Sequence, residues 1–241
     1  MAAPALEVKD VTIAYSGMAV VRELSLTVDL GQAIVILGAN GAGKSTLLRA
    51  IVGLLPTSGG TVSLFGDDVT KASTAKRARK GLAFMSEQGI FPSLSVKENL
   101  QLGAMTNRNR SFDAGLETVL ALFPELGGRL NEPAGSLSGG QRKMVGIAKC
   151  VIAQPSLLIM DEPSAGLSPK FVSEVVETLI TLHSDGMTLL VAEQNVEFLK
   201  FAQTAVVLEG GYVRFNGPVA ELSNNKTLHD AFFGIESIQE I

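Results

Sequence analysis

The sequence predicts a layered α/β fold with a mostly parallel core sheet, and three observations carry that prediction. Strand-like and helix-like segments alternate along most of the 241 residues. Two short runs, "QAIVILGAN" and "SLLIM", are apolar without alternation, which is the pattern of strands covered on both faces. A more polar, mostly helical middle, roughly Thr70–Glu132, interrupts the alternation and reads as an insertion.

The elements follow in order. "LEVKDVTIAY" and "VRELSLTVDL" alternate as strands do. In the second, Leu24, Leu26 and Val28 share one face, and Glu23, Ser25 and Thr27 the other. "QAIVILGAN" is a buried strand that ends on a glycine, and "KSTLLRAIVGLL" continues with helical spacing. "SGGTVSLFGDDV" reads as a glycine-bounded strand and turn. In the middle, "NRNRSFDAG" is polar and without apolar period, so a loop is expected there. From Ser136 a helix leads to the strand "SLLIM". A second helix then places Val172, Val175, Val176, Leu179 and Ile180 on one face. "MTLLVAEQN" reads as a further strand and "TAVVLEGGYVRFNG" as a terminal hairpin.

Composition excludes several classes. Hydrophobic residues make up 46% of the chain, enough for a sizeable core. The formal net charge of −4 argues against nonspecific nucleic-acid binding, which needs a basic surface. One cysteine, Cys150, rules out a disulfide framework or a cysteine-based zinc site, and it is expected as a small buried residue in a reducing compartment. "MAAPALEVKD" lacks the basic start and apolar stretch of a signal peptide. No apolar run reaches the roughly 18 residues of a membrane span, so no direct membrane insertion is expected, though docking onto a membrane partner stays open.

The chemistry begins at "GANGAGKST". Gly38 to Ser45 satisfies G-x-x-x-x-G-K-[ST] between a buried strand and a helix. Glycines let successive N–H groups turn inward around phosphate, and a side chain there would obstruct it. The helix that starts near Lys44 adds the positive end of its dipole. Lys44 can reach terminal phosphates, and Ser45 can ligate Mg²⁺. Gly38, Ala39, Asn40, Gly41, Ala42, Gly43, Lys44, Ser45 and Thr46 are therefore the candidate nucleotide cradle.

"LLIMDEP" supplies a second half. Leu157–Met160 form a buried strand whose end sets Asp161 beside the metal, and Glu162 is placed to polarise an attacking water. "SLSGGQRKM" adds another anion-directed device: Ser138 is a good N-cap, and Gly139 and Gly140 expose amides at a helix start. One nucleotide cannot easily use two phosphate cradles of the same subunit, so each is expected to face a nucleotide held mainly by another subunit.

In that order, "GANGAGKST", "LSGGQ" and "LLIMDEP" resemble the ATPase subunit of an ATP-binding cassette transporter, over essentially the whole chain. The resemblance implies a P-loop NTPase core, an N-terminal antiparallel β subdomain and an inserted helical subdomain in one domain spanning 1–241. The core would comprise about 1–85 and 155–241, and the helical signature part about 86–154. It implies ATP and Mg²⁺ as cofactors, two subunits closing head-to-tail around two ATP molecules, and Ser138, Gly139, Gly140 and Gln141 completing the partner's site. It carries Tyr15 to the aromatic that stacks on adenine, and "SAGLSP", Ser164–Pro169, to a loop that couples the two sites. It also implies two transmembrane permease subunits held near Phe91–Asn99, indirectly a solute-binding protein, and a peripheral place on the cytoplasmic face of the plasma membrane.

Two positions depart from the family pattern. Its Mg²⁺-sensing glutamine falls in "FMSEQGIFPSLSVKENL", where either Glu87 or Gln88 takes the place. Its γ-phosphate histidine is replaced by Gln194 in "LLVAEQNVEF". Glutamine hydrogen-bonds but carries no charge, so slower turnover is expected at this site. The two histidines, His183 and His229, are expected to face solvent. "VAEQN", together with "GIFPSLSVKENL" and "DEPSAGLSP", resembles the second ATPase subunit of branched-chain amino acid importers, or of the related urea importers, a branch in which two different ATPase subunits pair. A soluble cassette ATPase without a membrane partner is the rival reading.

Overall fold

The computed structural model describes residues 3–15, 17–87, 89–106 and 111–224. In chain order the elements are β1 (Leu6–Tyr15), β2 (Met18–Val28), β3 (Ala33–Leu37), α1 (Lys44–Ile51), β4 (Gly59–Leu64), β5 (Asp67–Asp68), α2 (Thr74–Arg79), β6 (Leu82–Met85), α3 (Val96–Ala104), α4 (Phe112–Leu122), α5 (Gly139–Val151), β7 (Leu157–Asp161), α6 (Pro169–Ser184), β8 (Thr188–Glu193), β9 (Thr204–Glu209), β10 (Tyr212–Pro218) and α7 (Val219–Asn224). They build two sheets. One is antiparallel, in the order β2-β1-β4-β5. The other has six strands in the order β10-β9-β3-β8-β7-β6, parallel except where β10 pairs with β9.

The unbroken apolar runs are explained by burial on both faces. All five residues of β3 are buried. Ala33, Val35 and Leu37 pack into the cluster that holds α5 and α6, while Ile34 and Ile36 pack toward α1 and the antiparallel sheet. β7 and β8 divide the same way, with Leu158, Met160, Leu189 and Val191 on one side and Leu157, Ile159, Leu190 and Ala192 on the other. Each such Val, Leu, Ile or Met side chain contributes about 1.5–3 kcal/mol of burial, so polar substitution at either phase is disfavoured. β2 shows the contrasting one-sided pattern, with Val21, Leu24, Leu26 and Val28 inside.

The helical stretch between β6 and β7 is fastened by caps. Ser95 and Glu98 form a reciprocal capping box at α3, which contributes about 1 kcal/mol. The buried Asn99 folds the preceding loop onto that helix. Its Oδ1 accepts from Phe91 N at 2.8 Å, and its Nδ2 donates to Phe91 O and Ser95 O, each at 3.0 Å. The Arg77 guanidinium, buried under α1, donates to the carbonyls of Ala50 at 2.8 Å and Ile51 at 2.6 Å and so closes the end of that helix.

Three expectations change. Ser111 caps α4, so Phe112–Gly115 is the first turn of a helix and not loop, while residues 107–110 lie outside the described residues. Gly115 is there because α5 passes close by: a Cβ would stand 2.6 Å from Ile152 O. On α6 the buried face includes Leu182, whereas Ile180 is exposed. His183 is half-buried and meets the Gln203 amide instead of facing solvent, while His229 lies outside the described residues. Cys150 is buried as expected, and burial pushes its thiol up to about 12.

Candidate active site

Parallel register gathers the site at one edge of the six-stranded sheet. Leu37 pairs with Glu193, Asp161 with Ala192, and Met85 with Met160. The chain therefore leaves β3, β6, β7 and β8 side by side at their carboxyl ends, where α/β sheets bind ligands. The residues that follow are Gly38, Ser86 with Glu87 next to it, Glu162 and Gln194.

The loop after β3 is shaped by backbone that only glycine tolerates. Gly41 and Gly43 have φ of 81° and 105°. Gly43 is also the N-cap of α1, and no side chain caps it. No acidic residue sits in the first turn of α1, so its N–H groups and dipole are aimed at an external anion. The glycines do not all serve the same end. A Cβ at Gly41 would meet open space, but at Gly38 it would strike Leu208 O at 2.5 Å, and at Gly43 it would press on Val20 O at 3.2 Å. Gly38 and Gly43 thus let the loop nest against β9 and β2, and of the three only the Gly41 side leaves room for a ligand. That nesting brings the β1–β2 hairpin, with the half-exposed Tyr15 near its tip, alongside the loop.

Lys44 is buried, and its ammonium uses three acceptors: Gly38 O at 2.6 Å, Ala39 O at 3.2 Å and Glu162 Oε1 at 3.2 Å. Glu162 Oε1 also accepts from Gln194 Nε2 at 3.2 Å, and the same amide donates to Asn40 Oδ1 at 2.9 Å. Lys44, Glu162, Gln194 and Asn40 therefore form one connected cluster. Beside it, Ser45 Oγ donates to Asp161 Oδ1 at 2.8 Å. Burial pushes the Asp161 carboxyl above its ordinary value, the Ser45 hydroxyl opposes that shift, and the nearby Glu162 charge adds to it. A hydroxyl and a carboxylate at this separation are hard oxygen donors that suit a Mg²⁺ which keeps waters and takes phosphate oxygens for its remaining positions.

Glu162 itself lies at φ 46°, a left-handed conformation costly for a residue with a side chain. The turn is held at both ends: Glu162 N donates to Ala192 O at 2.9 Å, and Lys143 Nζ on α5 donates to Glu162 O at 3.2 Å. Lys143 also donates to Glu87 O at 3.1 Å. Burial pushes this ammonium down, opposed by Glu87, Glu193 and Glu162. The Glu87 side chain is exposed and acts on Lys143, while Ser45 and Asp161 pair without it. Gln88 lies outside the described residues.

Ser138 and Gln141 stand apart from this cluster. They cap α5 reciprocally, with Ser138 N donating to Gln141 Oε1 at 3.0 Å and Gln141 N donating to Ser138 Oγ at 3.3 Å. Ser138 and Gly139 are exposed. Gly140 is buried, and a Cβ there would lie 2.2 Å from the Phe171 ring of α6, which would have to shift.

Sequence reasoning missed two residues. Lys143 gave no signal, since its contacts are with turns 19 and 56 residues away. Glu193 did leave one: it is a buried carboxylate closing the apolar run Leu189–Ala192, and a charge in such a place needs built partners.

Comparison with known proteins agrees with this geometry. The family described as "ABC transporter" matches residues 21–165. The high-affinity branched-chain amino acid transport ATP-binding protein BraG of Pseudomonas aeruginosa is 33% identical, over 91% of this chain and 95% of its own length. The lipopolysaccharide export system ATP-binding protein LptB of Escherichia coli is 31% identical, over 95% and 97%. Among solved structures, an ATP-binding cassette of an ABC transporter in its ADP conformation superposes with a TM-score of 0.84 at 25% identity, covering 97% of this chain and 98% of that one.

Proposed function

Since the chain belongs to the ABC transporter family, as an ATPase subunit that binds and hydrolyses ATP and works with permease subunits from the cytoplasmic side of a membrane, we propose that it powers uptake of branched-chain amino acids. The similarity to BraG over nearly the whole of both chains supports that substrate class. Export of a lipopolysaccharide-like molecule is the second reading, favoured by the similar match to LptB. Among the described residues no helix is long and apolar enough to cross a membrane, so the permeases would provide the path.

The observation that carries the hydrolytic reading is the joining of Lys44, Glu162, Gln194 and Asn40 next to the Ser45–Asp161 pair. Phosphate oxygens entering at Gly41 would meet the α1 amides and compete with Glu162 for the Lys44 ammonium. Glu162, released from Lys44 and still oriented by Gln194, would polarise the attacking water. Ser45 and Asp161 would hold Mg²⁺, which neutralises charge on the phosphate oxygens when bound. Tyr15 would stack on the adenine, and Glu87 or Gln88 would sense the metal from the turn after β6. Neutral Gln194 supplies a hydrogen bond where a histidine could supply charge.

The exposed Ser138 and Gly139 would reach the nucleotide of a second, different ATPase subunit, and the Ser164–Pro169 stretch would follow the closure. Residues of about 1–85 and 155–241 would form the nucleotide-holding core, and about 86–154 a helical subdomain. Permease helices would lodge near Phe91–Asn99, where a groove of about 280 Å³ opens between Phe84, Phe91, Leu102 and Lys149. A solute-binding protein would act on the permeases from the other side.

The test is made in the complex assembled with its permeases. Glu162→Gln is expected to keep ATP affinity and lose turnover, while Lys44→Ala weakens nucleotide binding itself. Hydrolysis at the wild-type rate in Glu162→Gln would refute the catalytic assignment. Stimulation of ATPase by leucine-loaded binding protein supports the importer, and its absence alongside stimulation by lipopolysaccharide would favour the exporter.

A further inference from the structure

Glu193 ends β8 and is 2% exposed. A carboxylate taken out of water costs several kcal/mol unless donors surround it. Here they come from two separate loops. Oε1 accepts from Ser164 N at 2.7 Å, while Oε2 accepts from Gln194 N at 2.9 Å and Asn195 N at 3.3 Å. Ser164 opens the stretch that leads to Pro169 and α6, two residues after Glu162. Gln194 carries the amide that touches both Glu162 and Asn40. On its other side, Glu193 is in register with Leu37, the last residue before the phosphate loop.

We propose that Glu193 is a positioning residue that makes the Ser164–Pro169 stretch and the Gln194 turn move as one unit, so that Glu162 is aligned only while that stretch is seated. This inference rests on the assignment of Glu162 and Gln194 to hydrolysis. The physical ground is the asymmetry of buried hydrogen bonds. Displacing either loop leaves a buried carboxylate short of a donor, which is far costlier than losing a contact between neutral groups. The bond to Ser164 is therefore held as long as the bonds to Gln194 and Asn195 are, and a pull on one loop is felt at the other. Lys143 steadies the same turn from α5 through Glu162 O, so Glu162 is gripped by its carbonyl while Ser164 beyond it and the Gln194 that touches its carboxylate are gripped through Glu193.

A glutamine at 193 would turn an NH₂ donor toward one set of N–H groups and so break one loop's bond while keeping volume. In the assembled transporter, Glu193→Gln is expected to lower kcat by about 10²-fold, the cost of misplacing a catalytic group by about 1 Å, with KM for ATP unchanged within about 2-fold. Glu193→Asp keeps the charge and should recover part of that loss. Wild-type kcat in Glu193→Gln, KM rising in step with the fall in kcat, or Asp no better than Gln would each overturn the proposal. Glu162→Gln is run in parallel. Loss of turnover there with normal Glu193→Gln sinks this inference alone, and full turnover in Glu162→Gln sinks the underlying site assignment. A measurement on the wild-type complex needs no variant to fold. Hydrogen exchange at the Ser164, Gln194 and Asn195 amides should change together during Mg-ATP turnover, and exchange of Ser164 with 194 and 195 still protected would refute the coupling.

Discussion

Glu162 sits in a left-handed conformation, and three side chains from distant parts of the sequence hold it or its flanks there. Its carboxylate shares one oxygen between an ammonium and an amide, and the amide of Gln194 is the weaker donor of the two. A charged donor in its place would form a bond stronger by about 1 kcal/mol, or about 5-fold in rate if realised in the transition state. Gln194→His is accordingly expected to raise hydrolysis at this site by about that factor, measured in an assembly whose other site is disabled. An unchanged rate would remove Gln194 from the chemistry. The positions of the cradle, Asp161, Glu162 and Gln194 were legible in the sequence because each ends or follows a strand whose apolar run is unmistakable. Lys143 acts through backbone atoms of other turns, and no local pattern records such a contact, while Glu193 left only the trace of a charge at the end of an apolar run.

The elements owe their spacing to glycines that admit a neighbour. At Gly103 on α3 a Cβ would lie 2.0 Å from Lys149 O of α5, and a backbone carbonyl inside a helix cannot step aside. Gly103→Ala is therefore expected to push α3 and α5 apart and to destabilise the chain by about 1–3 kcal/mol. A thermal melt should register about 2–4 °C for each kcal/mol, and an unshifted midpoint would mean that the helices separate freely. The same kind of contact explains where sequence periodicity misled. The polar run before α4 hid a helix start because Gly115 answers to Ile152 and not to a turn. On α6 the choice of Leu182 over Ile180 depends on how that helix is rotated against the sheet, which residue spacing alone does not fix to one position. Gly140 has a close neighbour as well, since a Cβ there would lie 2.2 Å from the Phe171 ring.

For the whole molecule, the phosphate loop lies at the carboxyl edge of the parallel sheet, and the exposed Ser138 cap makes its own hydrogen bonds within α5. If the loop holds this subunit's nucleotide and the cap reaches the other subunit's, Mg-ATP should drive association with the partner ATPase, seen by light scattering or crosslinking. Lys44→Ala should abolish that association and Glu162→Gln should prolong it. Association indifferent to nucleotide would contradict the shared-site arrangement. The layering of the fold was readable from the order of its strands and helices; what the two cradles face was not, because that belongs to a second polypeptide. One interior detail has a practical side. With its sole thiol on the inner face of α5, only 5% exposed and reluctant to ionise, the chain presents little native thiol reactivity to maleimides at neutral pH. A fluorophore pair can thus be anchored at newly introduced surface cysteines without first replacing Cys150, and the proposed nucleotide-driven closure tested one molecule at a time.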